Sequence, residues 1–180
     1  MYNPSNASWI PWGFIRKLIK YFSIDSIQVI SGENIRDLVK RKIPDISVTA
    51  HNFLPQSEYK QILDNGMFAL IPERRGSFEL PPIEHLSSGV PIFTPLAASI
   101  EVANQVLLEG GFTQKPFLDI LSQETLDCTR SEIVSWYEGI DNAREDFAHL
   151  VKEAFSIYNV QKKFYEEITH LLSEDGDGIV

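Results

Sequence analysis

Two arginines and two glutamates lie within one short stretch of this chain, and their types could bind a phosphorylated ligand. Arg74 and Arg75 stand just before a predicted helix at 80–89, which Glu79 precedes and Glu84 belongs to. Cations and backbone N–H groups ahead of a helix can stabilise the negative charge that develops on a leaving diphosphate. A glutamate one turn into the helix can accept hydrogen bonds from a vicinal diol, such as that of ribose. The pattern therefore indicates a site for an activated nucleotide.

These residues also have structural interpretations. Arg74 and Arg75 could form a solvated surface pair, because adjacent side chains often point apart. Glu84 could be an ordinary exposed helix glutamate. Glu79 and Glu84 could serve as the acid and base of a hydrolase, but nothing in the sequence fixes their separation. We therefore prefer the nucleotide-binding hypothesis to the hydrolase hypothesis.

The elements around these residues are predicted to be a strand, a loop, a helix and a second strand. The apolar run 67–71 lies between a turn pair and Pro72, which is typical of a buried strand. The helix at 80–89 tolerates proline in its first turn and ends at a glycine, and the strand 90–94 follows. Two short strands joined by a helix favour a right-handed parallel crossover. The loop should then open at the carboxyl edge of a parallel sheet, where such sheets bind ligands.

The segment FELPPIEHLSSGVP at 78–91 closely resembles a known donor-site signature. The signature belongs to the retaining, nucleotide-sugar-dependent glycosyltransferases that are built from two Rossmann-like domains (GT-B type, glycosyl transferases group 1). The resemblance implies that Glu84 binds the ribose hydroxyls of the donor. Gly76 stands where the family has a glutamate that contacts the donor sugar, and Glu79 stands where the family has glycine. The element order agrees over 2–172, but the match is sharp only within this segment.

The donor site that the resemblance implies is larger than these glutamates. It comprises the loop, the start of the helix and one histidine, namely Arg74, Arg75, Gly76, Ser77, Phe78, Glu79, Leu80, Glu84 and His51. The resemblance places His51 near the donor base, although a lone histidine in a loop is more often structural or solvated. Where the family has a basic residue for the diphosphate, this chain has Ser5, Asn6 and Ser8. The resemblance therefore implies a weaker hold on the phosphates.

The remaining pattern predicts an α/β fold. Strands are expected at 26–30 and 46–50, and helices at 56–63, 99–108, 115–122, from 131 onward and over 141–172. The amphipathic segment 9–22 fits a core-facing crossover helix better than a helix at a membrane interface. We expect a Rossmann-like parallel sheet with helices on both faces and a helical carboxyl-terminal third. This single GT-B half, lacking its first strand, would span 1–172, followed by a frayed acidic tail at 173–180.

Composition restricts the partners. The 180 residues carry a formal net charge of -9, which argues against a nucleic-acid partner because phosphate backbones are bound by basic faces. The single cysteine, Cys128, excludes an internal disulfide, and no metal-binding spacing occurs. No segment has the length of a membrane span or the order of a signal peptide. We expect a cytoplasmic protein.

Three classes of function remain. The resemblance implies the donor-binding half of a glycosyltransferase, with a nucleotide-diphosphate sugar as donor substrate and no separate cofactor. Because family members share the acceptor site with an amino-terminal Rossmann-like domain, this chain would need such a domain or a partner chain. The alternatives are a non-catalytic nucleotide-binding or partner-interaction module, and a purely structural domain. The nucleotide, the sugar and the acceptor are not specified by the sequence.

We expect the purified chain alone to transfer no sugar, and Gly76→Glu to leave this unchanged. A glutamate at the donor sugar accelerates nothing unless an acceptor is held in line with the anomeric carbon. The measurement is product formation from several radiolabelled donors with a mixed acceptor extract. Turnover by the natural chain alone would contradict the half-enzyme hypothesis, whereas turnover only after addition of a Rossmann-domain protein would support a split transferase.

Overall fold

The computed structural model describes residues 10–30, 33–71 and 80–156, with the backbone alone for Glu33 and Asn34. Eight helices and five strands lie in this part of the chain. In order they are α1 Trp12–Phe22, β1 Ser26–Ile30, α2 Glu33–Lys42, β2 Ser47–His51, α3 Gln56–Asp64, β3 Ala69–Leu70, α4 Leu80–Ser87, β4 Ile92–Thr94, α5 Ala98–Glu109, β5 Phe117–Asp119, α6 Gln123–Asp127, α7 Arg130–Asp141 and α8 Arg144–Ala154.

The strands form two small parallel sheets. β1 pairs with β2, with Val29 opposite Ala50. β3, β4 and β5 form the second sheet, in which Ile92 is the partner of both Ala69 and Phe117. The predicted α/β class and parallel pairing are confirmed. Within the described residues no hydrogen-bonded ladder joins the two sheets, so the single continuous sheet that was expected is not formed there.

Packing joins the sheets where hydrogen bonds do not. Leu70 of β3 packs both against the cluster around Val29 and against the cluster around Phe93, while its neighbour Ala69 packs against a third cluster. The ring of Phe93 is fully buried and meets the ring of Phe14 in α1 edge to face, with centroids 5.7 Å apart. The short strand β3 therefore lies at the meeting point of the three parts of the core.

The β1–β2 sheet has one buried face and one exposed face. Val29 is buried, and Ile27, Val48 and Ala50 pack with it against α1 and α2. The intervening Gln28 of β1, like Ser26, Ser47 and Thr49, is exposed. The expectation of helices on both faces is therefore wrong for this sheet. The strands alternate polar and apolar residues, which suits a sheet with one solvated face.

Several local expectations can now be compared with the structure. The helix at 9–22 is core-facing as predicted, since Phe14 and Leu18 of α1 are buried. The prediction of a short helix at 115–122 is wrong. Phe117–Asp119 form strand β5, which pairs in parallel with β4 as the third strand of that sheet. The second half of the predicted segment 141–172, the tail 173–180 and the chain before residue 10 lie outside the described residues. No helix in the described ranges is both long and apolar enough to cross a bilayer.

The amino-terminal end of α7 and the carboxyl-terminal end of α4 are formed by residues that favour helix ends. Thr129 caps α7 in a capping box with Glu132, as the Ser/Thr position before that helix predicts. Gly89 follows α4 with φ of 75°, the left-handed conformation that glycine adopts at low cost.

Arg144 ties the start of α8 to the turn before β3. Its Nη1 donates to the carbonyl oxygen of Gly66 at 3.1 Å, and its Nη2 donates to that of Met67 at 2.8 Å and to the Tyr137 hydroxyl at 2.7 Å. The Asp141 carboxylate lies 2.5 Å from Nε as an ion pair, out of line for a hydrogen bond. The side chain is 26% exposed, so these bonds are shielded from water.

We expect Arg144→Met to destabilise the fold by about 2–4 kcal/mol, because two backbone carbonyls and the Tyr137 hydroxyl lose a charged donor. The measurement is the free energy of unfolding in urea, followed by circular dichroism. Lys152→Met, an exposed lysine on the same helix, is the matched control and should change the stability by less than about 0.5 kcal/mol. Equal losses in the two variants would refute this role of Arg144.

Candidate functional site

The predicted site residues are distributed unevenly over the described structure. Glu84 lies in the second half of α4, and Leu80 is the first residue of that helix with 63% of its surface exposed. His51 is the last residue of β2. The other predicted residues, Arg74, Arg75, Gly76, Ser77, Phe78 and Glu79, lie outside the described residues. The geometry of the site can therefore be given only for the residues on either side of 72–79, namely the end of β3 and helix α4 with their neighbours.

Glu84 is held by a tyrosine from a neighbouring helix. The Tyr59 hydroxyl donates a hydrogen bond to Glu84 Oε2 at 3.2 Å. Burial raises the pKa of Tyr59 strongly, and the charge of Glu84 adds to this effect. The phenol therefore stays protonated and remains a donor, while the carboxylate of Glu84 is exposed and keeps acceptor capacity for a ligand.

Tyr59 is the functional side chain that the sequence did not reveal. Its helical spacing with Ile62 and Leu63 predicts an inward-facing core residue, and that spacing accounts for its partial burial. Its position gave a further signal, because α3 follows β2 as α4 follows β3. The Tyr59–Glu84 bond joins two helices that follow strands of different sheets.

His85 follows Glu84 in α4 and packs against Tyr59. Its side chain is buried, its ring meets that of Tyr59 edge to face at 6.2 Å, and its Nδ1 lies 2.7 Å from the Pro81 carbonyl oxygen. A carbonyl oxygen only accepts, so the hydrogen bond assigns the proton to Nδ1. Burial lowers the pKa of His85, although Pro81 and the charge of Glu84 act in the opposite direction. His85 is therefore a buried residue whose neutral form is favoured and which packs against Tyr59.

His51 is separate from this pair. Its Nε2 lies 2.8 Å from Gln28 Oε1 across the β1–β2 ladder, with the imidazole as donor because the amide oxygen only accepts. The structure describes no hydrogen bond between His51 and Glu84. His51 thus lies at the same carboxyl edge but is held by β1, and its other ring nitrogen is left to meet a ligand or water.

Apolar side chains are exposed after every strand at this edge. Ile30 ends β1, and the others follow β2 to β5; they are Ile30, Phe53, Leu80, Leu96 and Leu121, exposed by 45, 90, 63, 55 and 38%. Exposed apolar side chains of this kind are suited to contact another surface.

The Tyr59 phenol keeps its proton, so it is suited to donate a hydrogen bond and not to accept a proton from a substrate. Glu84 can accept hydrogen bonds from a diol. No group of three histidine, cysteine or carboxylate side chains that could hold a metal ion occurs in the described part of the chain.

Comparison with known proteins gives no relative. No family model matches the sequence, no curated protein matches it, and no solved structure matches the fold. The interpretation of the site therefore rests on its residues and geometry.

We expect the free energy of unfolding to fall as the pH is lowered below about 6.5, the pKa of histidine in an unfolded chain. The lowered pKa means that the folded state binds fewer protons at His85 than the unfolded state does, so acid favours unfolding. Urea titrations between pH 5 and pH 8 measure this slope. His85→Gln should flatten it, whereas His149→Gln, which removes an exposed histidine, should not. An unchanged slope in His85→Gln would show that other groups cause the acid sensitivity.

Proposed function

We propose that this chain is the donor-binding half of a nucleotide-sugar-dependent glycosyltransferase and that it is not a complete catalyst alone. The observation that carries the proposal is the position of Glu84. Its exposed carboxylate stands on the helix that follows β3, at the carboxyl edge of parallel strands, and is oriented by Tyr59. An exposed carboxylate that is held in one orientation can accept hydrogen bonds from both hydroxyl groups of a ribose.

The roles of the other residues follow from the chemistry of the donor. In the proposal the loop 72–79 receives the diphosphate and the sugar, with Arg74 and Arg75 supplying positive charge and Gly76, Ser77, Phe78 and Glu79 lining the way to Leu80. His51 or a nearby backbone group would meet the base. The diphosphate is the leaving group, so its stabilisation is the largest electrostatic need of the reaction.

The need for a second domain is supported by what the carboxyl edge lacks. Gly76 has no side chain with which to contact the donor sugar. The exposed apolar residues Phe53, Leu80 and Leu96 at this edge are suited to contact another surface. A Rossmann-like acceptor domain, in a partner chain or elsewhere in a longer protein, is the partner we propose. A cytoplasmic location is part of the same proposal.

A non-catalytic nucleotide-binding or partner-interaction module is the second candidate. It is favoured by glycine at position 76 and by the two small sheets, which no ladder joins in the described residues. The donor-binding half and the nucleotide-binding form of the module both require nucleotide binding at Glu84. They differ in whether a partner restores sugar transfer, which the transfer assay with an added Rossmann-domain protein decides.

We expect weak binding of a nucleoside diphosphate or its sugar, measured by titration calorimetry with uridine, guanosine and adenosine diphosphate sugars. Glu84→Gln should weaken the binding about tenfold, because the hydrogen bonds from the diol would lose a charged acceptor. Tyr59→Phe should weaken it less, because it removes only the group that orients the carboxylate. Glu138→Gln, at an exposed glutamate of α7, is the matched control.

The absence of binding of every nucleotide sugar at millimolar concentration would contradict the donor-binding function and leave only the partner-interaction module. Equal affinities in Glu84→Gln and Glu138→Gln would place the nucleotide elsewhere on the chain. Circular dichroism of each variant separates a loss of binding from a loss of folding.

A further inference from the structure

A groove at the amino-terminal edge of the β1–β2 sheet has chemistry unlike that of the Glu84 site. It lies between the second half of α1 and the segments that lead into β1 and β2, with a volume of about 210 Å³. The residues that line it are Arg16, Ile19, Lys20, Ile24, Ile43, Pro44, Asp45 and Ile46. Four isoleucines thus lie beside two cations.

Positive charge is concentrated around this groove. Residues 16–42 contain 7 of the 16 lysines and arginines of the chain but only 3 of its 25 acidic residues. The remainder of the chain therefore carries 9 basic and 22 acidic residues. Residues 16–42 are therefore basic although the chain as a whole is acidic. Such a local excess of positive charge attracts anionic partners.

Helix capping accounts for only part of this charge. The Arg16 guanidinium donates to the Lys42 carbonyl oxygen from Nε at 3.2 Å and from Nη2 at 2.8 Å, which satisfies the end of α2. Lys20, Lys40 and Arg41 are exposed, as is the Lys42 side chain. None of these four forms an ion pair within the described part of the chain. Their mutual repulsion is relieved by an anionic partner.

The size of the groove indicates the kind of partner. Small-molecule sites usually have volumes of about 300–1,000 Å³. At about 210 Å³ the groove is smaller than these, and it is lined by Ile19, Ile24 and Ile43. One apolar side chain of a protein fits this space, with the cations of α1 and α2 at its rim. Acidic motifs are recognised by such clusters of basic side chains.

We propose that this groove binds an acidic protein segment that inserts one apolar side chain between the isoleucines and places its carboxylates beside Arg16, Lys20 and Lys42. The proposal is independent of the donor-binding function. Nucleic acid is a poorer partner, because the chain is acidic overall and Asp45 lines the groove. A flat bilayer is also a poorer partner, because it meets the basic rim without filling the concave apolar space.

The probe for the test is a short fluorescein-labelled peptide with a central leucine and two glutamates on each side of it, followed by fluorescence anisotropy at low salt. Control peptides replace the leucine by serine or the glutamates by lysines. The double variant Lys20→Glu with Lys42→Glu reverses charge at exposed positions. Its matched control, Arg130→Glu with Lys152→Glu, changes the net charge equally on α7 and α8.

We expect the acidic peptide to bind the natural chain and the control variant alike, and the groove variant at least roughly tenfold more weakly. Asp45→Asn should strengthen binding, a gain that damage to the fold would not produce. Raising the salt concentration should weaken the binding of the acidic peptide, and the serine peptide should bind less well than the leucine peptide.

Four results would overturn the proposal. They are no binding of the peptide at about 1 mM, equal loss in the groove and control variants, equal affinity for the serine peptide, and tighter binding to duplex DNA or to phosphatidylserine vesicles than to the peptide. Sedimentation of the natural chain that shows self-association lost in the groove variant would assign the groove to an acidic surface of a second copy instead.

Discussion

The packing of Leu70 is the contact on which the rest of this fold depends. The two sheets share no ladder in the described residues, so side-chain burial must hold them in one relative position. Leu70 reaches the clusters on both sides, and Ala69 beside it reaches the third. The Tyr59–Glu84 bond spans the helices that follow β2 and β3, and so it exists only while this packing aligns the sheets. A hydrogen bond at an exposed edge is weak alone, and here the core fixes its geometry.

The same packing explains which parts of the fold the sequence could predict. Elements with a strong local pattern were predicted well: α1 by its amphipathic period, β2 by its alternation of apolar and polar residues, and α4 by proline in its first turn and Gly89 at its end. The strand β5 was taken for a helix because its apolar residues have no period of their own. Phe117 and Leu118 become a strand because Ile92 and Phe93 offer a buried edge, and only the folded chain provides that edge.

The candidate site shows the same division between local and long-range information. Glu84 could be proposed from the residues around it, and His51 from its place after a strand. Tyr59 could not be identified as a partner of Glu84, since its helical spacing predicts a core residue and the contact joins positions 25 residues apart. The separation of charge between α1–α2 and the remainder was visible as a basic run, but the groove beside it arises only when α1 packs against the segment before β2.

The chemistry of the described edge also limits what the chain can do by itself. A transferase must bind the donor, stabilise the leaving group and hold an acceptor, and these tasks need different groups. Glu84 and Tyr59 suit the first task, and the sequence assigns Arg74 and Arg75 to the second. The third needs a base and a surface that excludes water, and the described edge offers exposed apolar side chains in their place. Apolar groups that contact no substrate atom still contribute by covering a reaction from solvent, but only when a second surface closes over them. In the proposed function the chain alone binds the donor, whereas catalysis depends on a second surface that covers its carboxyl edge.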